Sequence, residues 1–120
     1  MNNLVIYCKD FELTNAINQY LEQKLTQLYK YINVAIEDIV FKCRLGKISN
    51  KQRNGTIYYI DTTITTPKKN FGGRIAADNI YTAIDLLKDE LIDNIKSYKN
   101  KLRTTNKKTA QIFKEQTHRI

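Results

Sequence analysis

The sequence has few of the residues from which disulfide frameworks, zinc sites and catalytic centres are usually built. Its two cysteines, Cys8 and Cys43, cannot make a disulfide framework, and four-ligand zinc spacing is absent. The single histidine, His118, stands near the end of the chain, and no P-loop, dinucleotide fingerprint or nucleophile elbow occurs. The sequence therefore predicts a protein that is not an enzyme and that uses no metal, cofactor or small-molecule substrate.

Long apolar runs are missing as well. No stretch approaches the ~20 apolar residues that a membrane span needs, and the first residues lack the basic and apolar regions of a signal peptide. These absences predict a reduced, cytoplasmic location without a membrane partner. What is present is a chain of 120 residues with 42% hydrophobic content, which suits one domain with an apolar core.

Positive charge is concentrated in two blocks of the sequence. Residues 42–74 hold eight basic side chains against Asp61 alone, and residues 96–120 hold eight against Glu115 alone. The rest of the chain is acidic on balance, while the whole carries a formal charge of +8. Two basic blocks on one small domain favour a polyanionic partner such as nucleic acid, and the alternative is a solvated basic surface with a charged tail.

Two segments have the apolar spacing of helices that pack one face on a core. In the first, over residues 15–32, apolar residues recur at steps of three and four from Ile17 to Ile32, and Thr14 is placed to cap it. The second begins after Asp78 or Asn79, either of which can cap it, and its apolar stripe runs from Ile80 to Leu102. Residues 104–120 are polar and basic, which predicts a flexible tail after a domain at residues 1–103.

Four segments have the pattern of strands: Leu4–Cys8, residues 38–46, Thr56–Thr66 and Lys68–Ala76. The second alternates, with Phe41 and Cys43 on one side and Lys42 and Arg44 on the other. A polar loop is expected over Gly46–Gly55, and Gly72-Gly73 weakens the fourth strand or marks a bulge. The order β-α-β-β-β-α predicts an α+β two-layer sandwich, a four-stranded sheet with two helices on one face.

The helix openings resemble those of a known family. Asn79-Ile80-Tyr81-Thr82-Ala83-Ile84-Asp85 resembles the D-M-Y-x-A-I-D stretch of the ribosome hibernation promoting factor family, which includes the short ribosome-associated inhibitor A proteins. The stretch from Leu13 to Ile17, with Lys24, Leu28 and Tyr31 beyond it, is similar to that family's first helix, and Ile64-Thr65-Thr66-Pro67 to its third-strand ending. The resemblance covers about residues 3–103 and the same order of elements.

The resemblance implies a fold like a double-stranded RNA-binding domain and a role on the ribosome. It implies a short member that binds the small ribosomal subunit, through 16S-type rRNA and ribosomal proteins, and is a monomer off the ribosome. There it would occupy the channel of mRNA and tRNA, inhibiting translation under stress or in stationary phase. Two alternatives remain: a general binder of double-stranded or structured RNA, and a protein-interaction module that uses the open sheet face.

The candidate RNA-binding residues come mainly from the second long helix. At ~100° per residue, four basic residues form a stripe beside its apolar stripe, which suits phosphate contacts. Basic side chains near the C-terminal end of a helix also complement the helix dipole. The order of acidic residues first and basic residues last therefore has a structural explanation of its own. To this stripe we add the lysine of the first helix that matches the family pattern and the basic residues near the end of the second helix. The candidates are Lys24, Lys88, Lys96, Lys99, Lys101, Arg103, Lys107 and Lys108.

Two further candidates and one departure from the family pattern complete the prediction. Lys42 and Arg44 share a strand face, which is either kept soluble by them or contacts RNA. Glu90 and Asp93 stand where the family usually carries basic residues, so the footprint is expected to move toward the helix end and the tail, or else to bind more weakly.

Overall fold

The computed structural model of the protein describes residues 1–50 and 55–118, with side chains for residues 1–49 and 55–102. The order of elements is the β-α-β-β-β-α order predicted from the sequence. The strands and helices are β1 (Leu4–Cys8), α1 (Asn15–Thr26), β2 (Val40–Asn50), β3 (Gly55–Thr65), β4 (Phe71–Ala77) and α2 (Ile80–His118), with short 3-10 helices at Gln27–Lys30 and Ile36–Asp38.

The four strands form one sheet in the order β1-β2-β3-β4. The strand β1 runs parallel to β2, so the chain crosses over through α1 before it returns to the sheet. The pairs β2–β3 and β3–β4 are antiparallel. Among the described residues, β1 is a short edge strand beside β2, and β2 and β3 form a long hairpin. This is the α+β sheet that the sequence predicts, and that fold prediction is confirmed.

Both helices begin at side-chain caps. The hydroxyl of Thr14 accepts a hydrogen bond from the backbone N–H of Ile17 at 3.2 Å, and the amide oxygen of Asn79 accepts one from Tyr81 N–H at 2.8 Å. These bonds satisfy backbone donors that have no partner within the helix. Of the two caps considered for the second helix, Asn79 is therefore the one used.

The core lies between the helices and one face of the sheet. Alternate strand residues such as Phe41, Cys43 and Ile60 are buried, as are the helix residues Leu21 and Leu91. The intervening strand positions, among them Lys42 and Arg44, point away from the helices and are exposed. Because all the buried hydrophobic residues among those described form one cluster, the two helices share one face of the sheet and the other face is open.

Some boundaries differ from the sequence-based expectation. Helix α1 ends at Thr26, and the chain continues as a 3-10 turn where the sequence predicts helix to residue 32. Strand β2 extends to Asn50 and β3 begins at Gly55, so that the two strands take up most of the loop predicted at 46–55. Pairing of β3 with β4 is continuous through Gly72 and Gly73, so the expected bulge is absent from this described pair. Helix α2 continues past residue 103 to His118, while the division into a domain and a flexible tail stays a prediction.

The two cysteines are free and lie on the paired strands β1 and β2. Cys43 is fully buried, and the hydroxyl of Thr62 donates a hydrogen bond to its sulfur at 3.2 Å. Burial raises the pKa of the Cys43 thiol to about 11. Since the thiolate is the reactive form, Cys43 is a packing residue that is protected from oxidation and alkylation at neutral pH.

Candidate nucleic-acid interface

The middle of α2, at residues 95–102, borders a groove that is rich in lysine. The groove has a volume of about 330 Å³ and lies between this helix, the segment after the first 3-10 turn and the loop that leads into β4. Of the predicted residues, Lys99 lines it and Lys96 lies beside it. We call the lysines at this groove the lysine cluster: Lys30, Lys68, Lys69, Lys96 and Lys99.

Tyrosine rings hold three of these ammonium groups in place. The Nζ atoms of Lys96 and Lys30 lie 5.3 Å and 5.4 Å from the ring centroid of Tyr31, and that of Lys69 lies 5.5 Å from the centroid of Tyr98. Each such cation–π contact is worth ~0.5–1 kcal/mol at an exposed site. The cluster is therefore a surface on which positive charge is positioned by ring contacts before any ligand arrives.

The loop between β3 and β4 is tied down by Thr66. Its hydroxyl donates to the backbone carbonyl of Lys69 and accepts a hydrogen bond from the backbone N–H of the same residue at 3.0 Å. This reciprocal pair fixes the backbone that carries Lys69, whose ammonium then reaches the ring of Tyr98. The loop lysine is thus placed by the fold, even though it lies in a connection between strands.

Three members of the lysine cluster were missing from the sequence-based candidates. Lys30 falls in the 3-10 turn, and Lys68 and Lys69 follow Pro67 in the hairpin loop. The only sequence signal was the adjacent pair of lysines, because the groove joins three segments, residues 31–34, 66–71 and 95–102, that are far apart in sequence. Their place beside α2 becomes visible only in the folded chain.

Two predicted RNA contacts, Lys24 and Lys88, are engaged with acidic side chains. Lys24 Nζ lies 3.5 Å from Asp85 Oδ1, and Lys88 Nζ lies 3.3 Å from Asp89 Oδ1. Both lysine side chains are only about one fifth exposed, at 21% and 20%. Their charge is therefore partly neutralised within the protein, and neither lines the lysine-rich groove.

Asp85 joins the two helices. It accepts a hydrogen bond of 2.6 Å from the Tyr20 hydroxyl and pairs with Lys24, while the ring of Tyr20 meets that of Tyr81 edge to face at 5.1 Å. The hydrogen bond from Tyr20, and after it the charge of Lys24, holds the pKa of Asp85 below its ordinary value. The Asn79–Asp85 motif thus has a structural purpose, since it caps α2 and fastens it to α1.

The hydrogen bond and ion pair that Asp85 makes between the two helices are expected to contribute to stability in a pH-dependent way. A carboxylate whose pKa is depressed by folding stabilises the protein above its unfolded-state pKa of ~3.9, and that contribution is lost as the pH falls through the folded-state value. We expect Asp85→Asn to lower the Tm by about 2–4 °C at pH 7, because an exposed ion pair contributes little and the Asp85 side chain is 46% exposed.

The measurement is thermal unfolding of both proteins between pH 7 and pH 2.5. The Tm difference should begin to shrink as the pH falls below the unfolded-state pKa of ~3.9, and it should vanish once the pH is also below the lowered folded-state pKa of Asp85. Asp89→Asn is the matched control, since Asp89 stands on the same helix but pairs with the adjacent Lys88. A Tm difference for Asp85→Asn that is constant across this pH range would contradict the role assigned to its carboxylate.

The two acidic residues that depart from the family pattern do not line the groove. Glu90 directs its carboxylate toward the sheet, where its Oε2 lies 3.3 Å from the position of a Cβ built on Gly73. That oxygen is buried and has no hydrogen-bond partner among the described residues. Asp93 is exposed on α2. The negative charge of Glu90 therefore faces β4 rather than the lysine cluster.

Lys42 and Arg44 lie on the other side of the molecule from the lysine cluster. In the sheet, Arg44 is aligned with Tyr7 on β1, Asp61 on β3 and through it with Arg74 on β4. This open face also exposes Tyr7, at 59%. The structure therefore divides the predicted site residues between two opposite surfaces, and one straight RNA helix cannot contact both at once.

The remaining candidates are placed only in part. Lys101 is exposed on α2. Arg103, Lys107 and Lys108 lie outside the residues whose side chains are described, so their assignment stays a prediction. Within the described residues no cluster of histidine, cysteine and acidic side chains could hold a metal ion, and no helix there is long and apolar enough to cross a membrane.

The sequence matches the model of the family described as sigma 54 modulation protein / S30EA ribosomal protein over residues 4–103. The chain belongs to this family. The resemblance to hibernation factors is thereby confirmed. Because the S30EA family comprises non-enzymatic, ribosome-associated proteins, the prediction that this chain is not an enzyme is confirmed too, and ribosome association is its general functional class.

Two solved structures share the fold of this S30EA family member. The crystal structure of the Thermus thermophilus Protein Y N-terminal domain is 22% identical, with a TM-score of 0.64 over 80% of this chain and 98% of that chain. The structure of a ribosomal subunit interface protein from Coxiella burnetii is 18% identical, with a TM-score of 0.60 over 81% of this chain and 97% of that chain. Both similarities are to the fold.

Proposed function

We propose that this protein is a ribosome hibernation factor that binds the small ribosomal subunit and blocks the mRNA and tRNA decoding channel. The observation that carries the proposal is the lysine cluster, around a groove with no acidic side chain among the described residues that line it. Membership of the S30EA family supplies the ribosome as the setting. In this setting the protein acts in the cytoplasm as a monomer and represses translation under stress or in stationary phase.

The mechanism is occupancy. Lysine ammonium groups that neutralise rRNA phosphates release condensed counterions, which gives affinity without requiring a particular base sequence. Because structured RNA is recognised mostly through its shape and backbone, a preformed cationic surface on a rigid two-layer domain suits it. Once seated against 16S-type rRNA and neighbouring ribosomal proteins, the domain would exclude mRNA and tRNA sterically, and no chemical step is involved.

Competition on isolated small subunits tests this function. Prebound mRNA and tRNA should lower binding of the labelled protein by at least about tenfold, because the ligands share one channel. Bulk duplex RNA at the same nucleotide concentration should displace little of it. The measurement is co-sedimentation at physiological salt, where nonspecific binding is weak. Displacement by duplex RNA, with no effect of tRNA and mRNA, would favour the general RNA-binding alternative.

A further inference from the structure

The lysine-rich groove has an apolar interior that phosphate binding does not require. Its lining includes buried Ile32 and Ile95, half-buried Val34 and the exposed side of Leu102. The volume of about 330 Å³ lies at the lower end of the range of small-molecule sites, ~300–1,000 Å³. At this volume the groove has room for a small apolar group. A surface that bound only the RNA backbone would gain no affinity from such a cavity.

The walls of the groove are aromatic and well supported. Tyr31 and Tyr98 are half-buried and both line it. The ring of Phe71 meets that of Tyr98 edge to face, with centroids 5.6 Å apart and planes at 75°. Such pairs restrain ring orientation and stabilise the fold by ~0.5–1.5 kcal/mol. The rings are therefore positioned before binding, which lowers the entropy that a ligand must overcome.

Positive charge stands immediately around this apolar space. Lys68, Lys69 and Lys99 belong to the lining itself, and Lys96 Nζ lies over the ring of Tyr31. The groove thus suits a ligand with a flat apolar body that is joined directly to anionic groups. A nucleotide that has left its stack has this chemistry, because its base offers a π face and phosphates flank it on either side.

We propose that the groove holds one unstacked nucleobase from a single-stranded segment of RNA while the lysine cluster binds the phosphates on either side. This inference rests on the proposed function, since it specifies which kind of RNA meets the cluster. The base lies against Tyr98, because the ring of Tyr31 already has the ammonium groups of Lys30 and Lys96 over it, and the apolar side chains behind the base exclude water. Base-paired nucleotides cannot enter, because their bases remain stacked within the duplex.

The test compares two five-residue oligomers of equal charge that carry the same fluorescent end label. One is an adenosine RNA, and the other is the same ribose–phosphate chain without bases. Fluorescence anisotropy with the full chain at low salt should give about tenfold tighter binding for the adenosine oligomer, since stacking of one base contributes ~1–3 kcal/mol. Equal affinities, or no binding of either oligomer, would overturn the proposal without any variant being needed.

Tyr98→Leu tests the groove directly. It keeps an apolar side chain beside Phe71 but removes the aromatic wall, so the tenfold preference should fall to about twofold or less. Tyr7→Leu is the matched control, because it removes an exposed tyrosine from the open sheet face and should leave the preference unchanged. If Tyr98→Leu unfolds, Leu102→Ser serves instead, since Leu102 lies at the surface and is 45% exposed.

A peptide competitor and the ribosome assay separate the remaining outcomes. A pentapeptide with four aspartates around one phenylalanine has a similar charge and apolar body. If it displaces the label better than the adenosine oligomer, the groove is a protein-binding site and the proposal is overturned. Equal oligomer affinities with normal binding to small subunits would overturn this inference alone, whereas the proposed function fails only if the subunit competition fails.

Discussion

Reversal of four lysines at the groove is expected to abolish co-sedimentation with small ribosomal subunits. The variant changes Lys68, Lys69, Lys96 and Lys99 to Glu, which takes the formal charge of the chain from +8 to zero. If each lysine neutralises about one phosphate, the four contacts account for a roughly hundredfold fall in affinity between about 50 and 200 mM salt, and four new carboxylates add repulsion. Binding is measured by co-sedimentation and, for the affinity, by titration at several salt concentrations.

The salt dependence of binding is a second measurement on the same variant. For a phosphate-binding surface, the logarithm of the binding constant falls linearly with the logarithm of salt concentration, with a slope of about −0.7 to −0.9 per phosphate neutralised. Loss of four contacts should make the slope shallower by about 3. A variant that bound weakly but kept the wild-type slope would have lost affinity for some other reason, such as a distorted fold.

The matched control reverses the same amount of charge on the open sheet face. It changes Lys9, Lys42, Arg44 and Arg74 to Glu, all of which line one shallow depression on that face. This variant also has a formal charge of zero, so net charge cannot account for a difference between the two. If the sheet-side variant loses binding and the groove variant keeps it, the interface proposed for the lysine cluster is wrong.

Stability must be checked in parallel because two of the reversed groove lysines contact rings. Replacing Lys69 and Lys96 removes their contacts with Tyr98 and Tyr31, each worth ~0.5–1 kcal/mol. A small fall in Tm is therefore expected, together with an unchanged far-ultraviolet circular dichroism spectrum. If the variant is folded and does not bind ribosomes, the loss of binding is due to the changed interface and not to unfolding.

The fold could be predicted from the sequence because its signals are local and repeated. Alternation around Phe41 and Cys43 predicts β2, and the stripe from Ile17 to Leu25 together with the cap at Thr14 predicts α1, each without reference to the other elements. Boundaries were less accurate where the signal was weak: polar residues after Gly46 suggested a loop, yet backbone pairing with β3 extends the strand to Asn50.

The candidate interface could be predicted only in part because it is assembled from distant segments. Lys96 and Lys99 were found from helical periodicity, which is a property of one element. Lys30 and Lys69 lie 39 residues apart and meet the same surface only after α1, the β3–β4 loop and α2 have packed together. The engagement of Lys24 by Asp85 was equally inaccessible, because it depends on how the two helices meet.

Two adjacent glycines of β4, Gly72 and Gly73, lie on opposite faces of the strand and differ in their structural role. A weakened strand or a bulge was the sequence-based interpretation of Gly72-Gly73, but pairing with β3 is regular, and no described glycine has a positive φ. Gly73 faces α2: a Cβ there would lie 3.2 Å from both Leu87 Cδ1 and Leu91 Cδ2. Space under the helix, rather than backbone conformation, accounts for this glycine.

Gly73→Val is therefore expected to destabilise the protein by about 1–3 kcal/mol, the usual range for overpacking a filled core, and to lower the Tm by about 5–15 °C. Gly72→Val is its matched control. A Cβ at Gly72 would meet nothing closer than the Thr62 carbonyl oxygen at 3.7 Å, and a β-branched residue suits an open sheet face, so its stability should be unchanged or slightly raised. Thermal and urea unfolding measure both. Equal losses would mean that the helix does not press on β4 at Gly73, whereas a large loss at Gly73 alone would establish this close contact as the reason that the strand carries glycine where α2 crosses it.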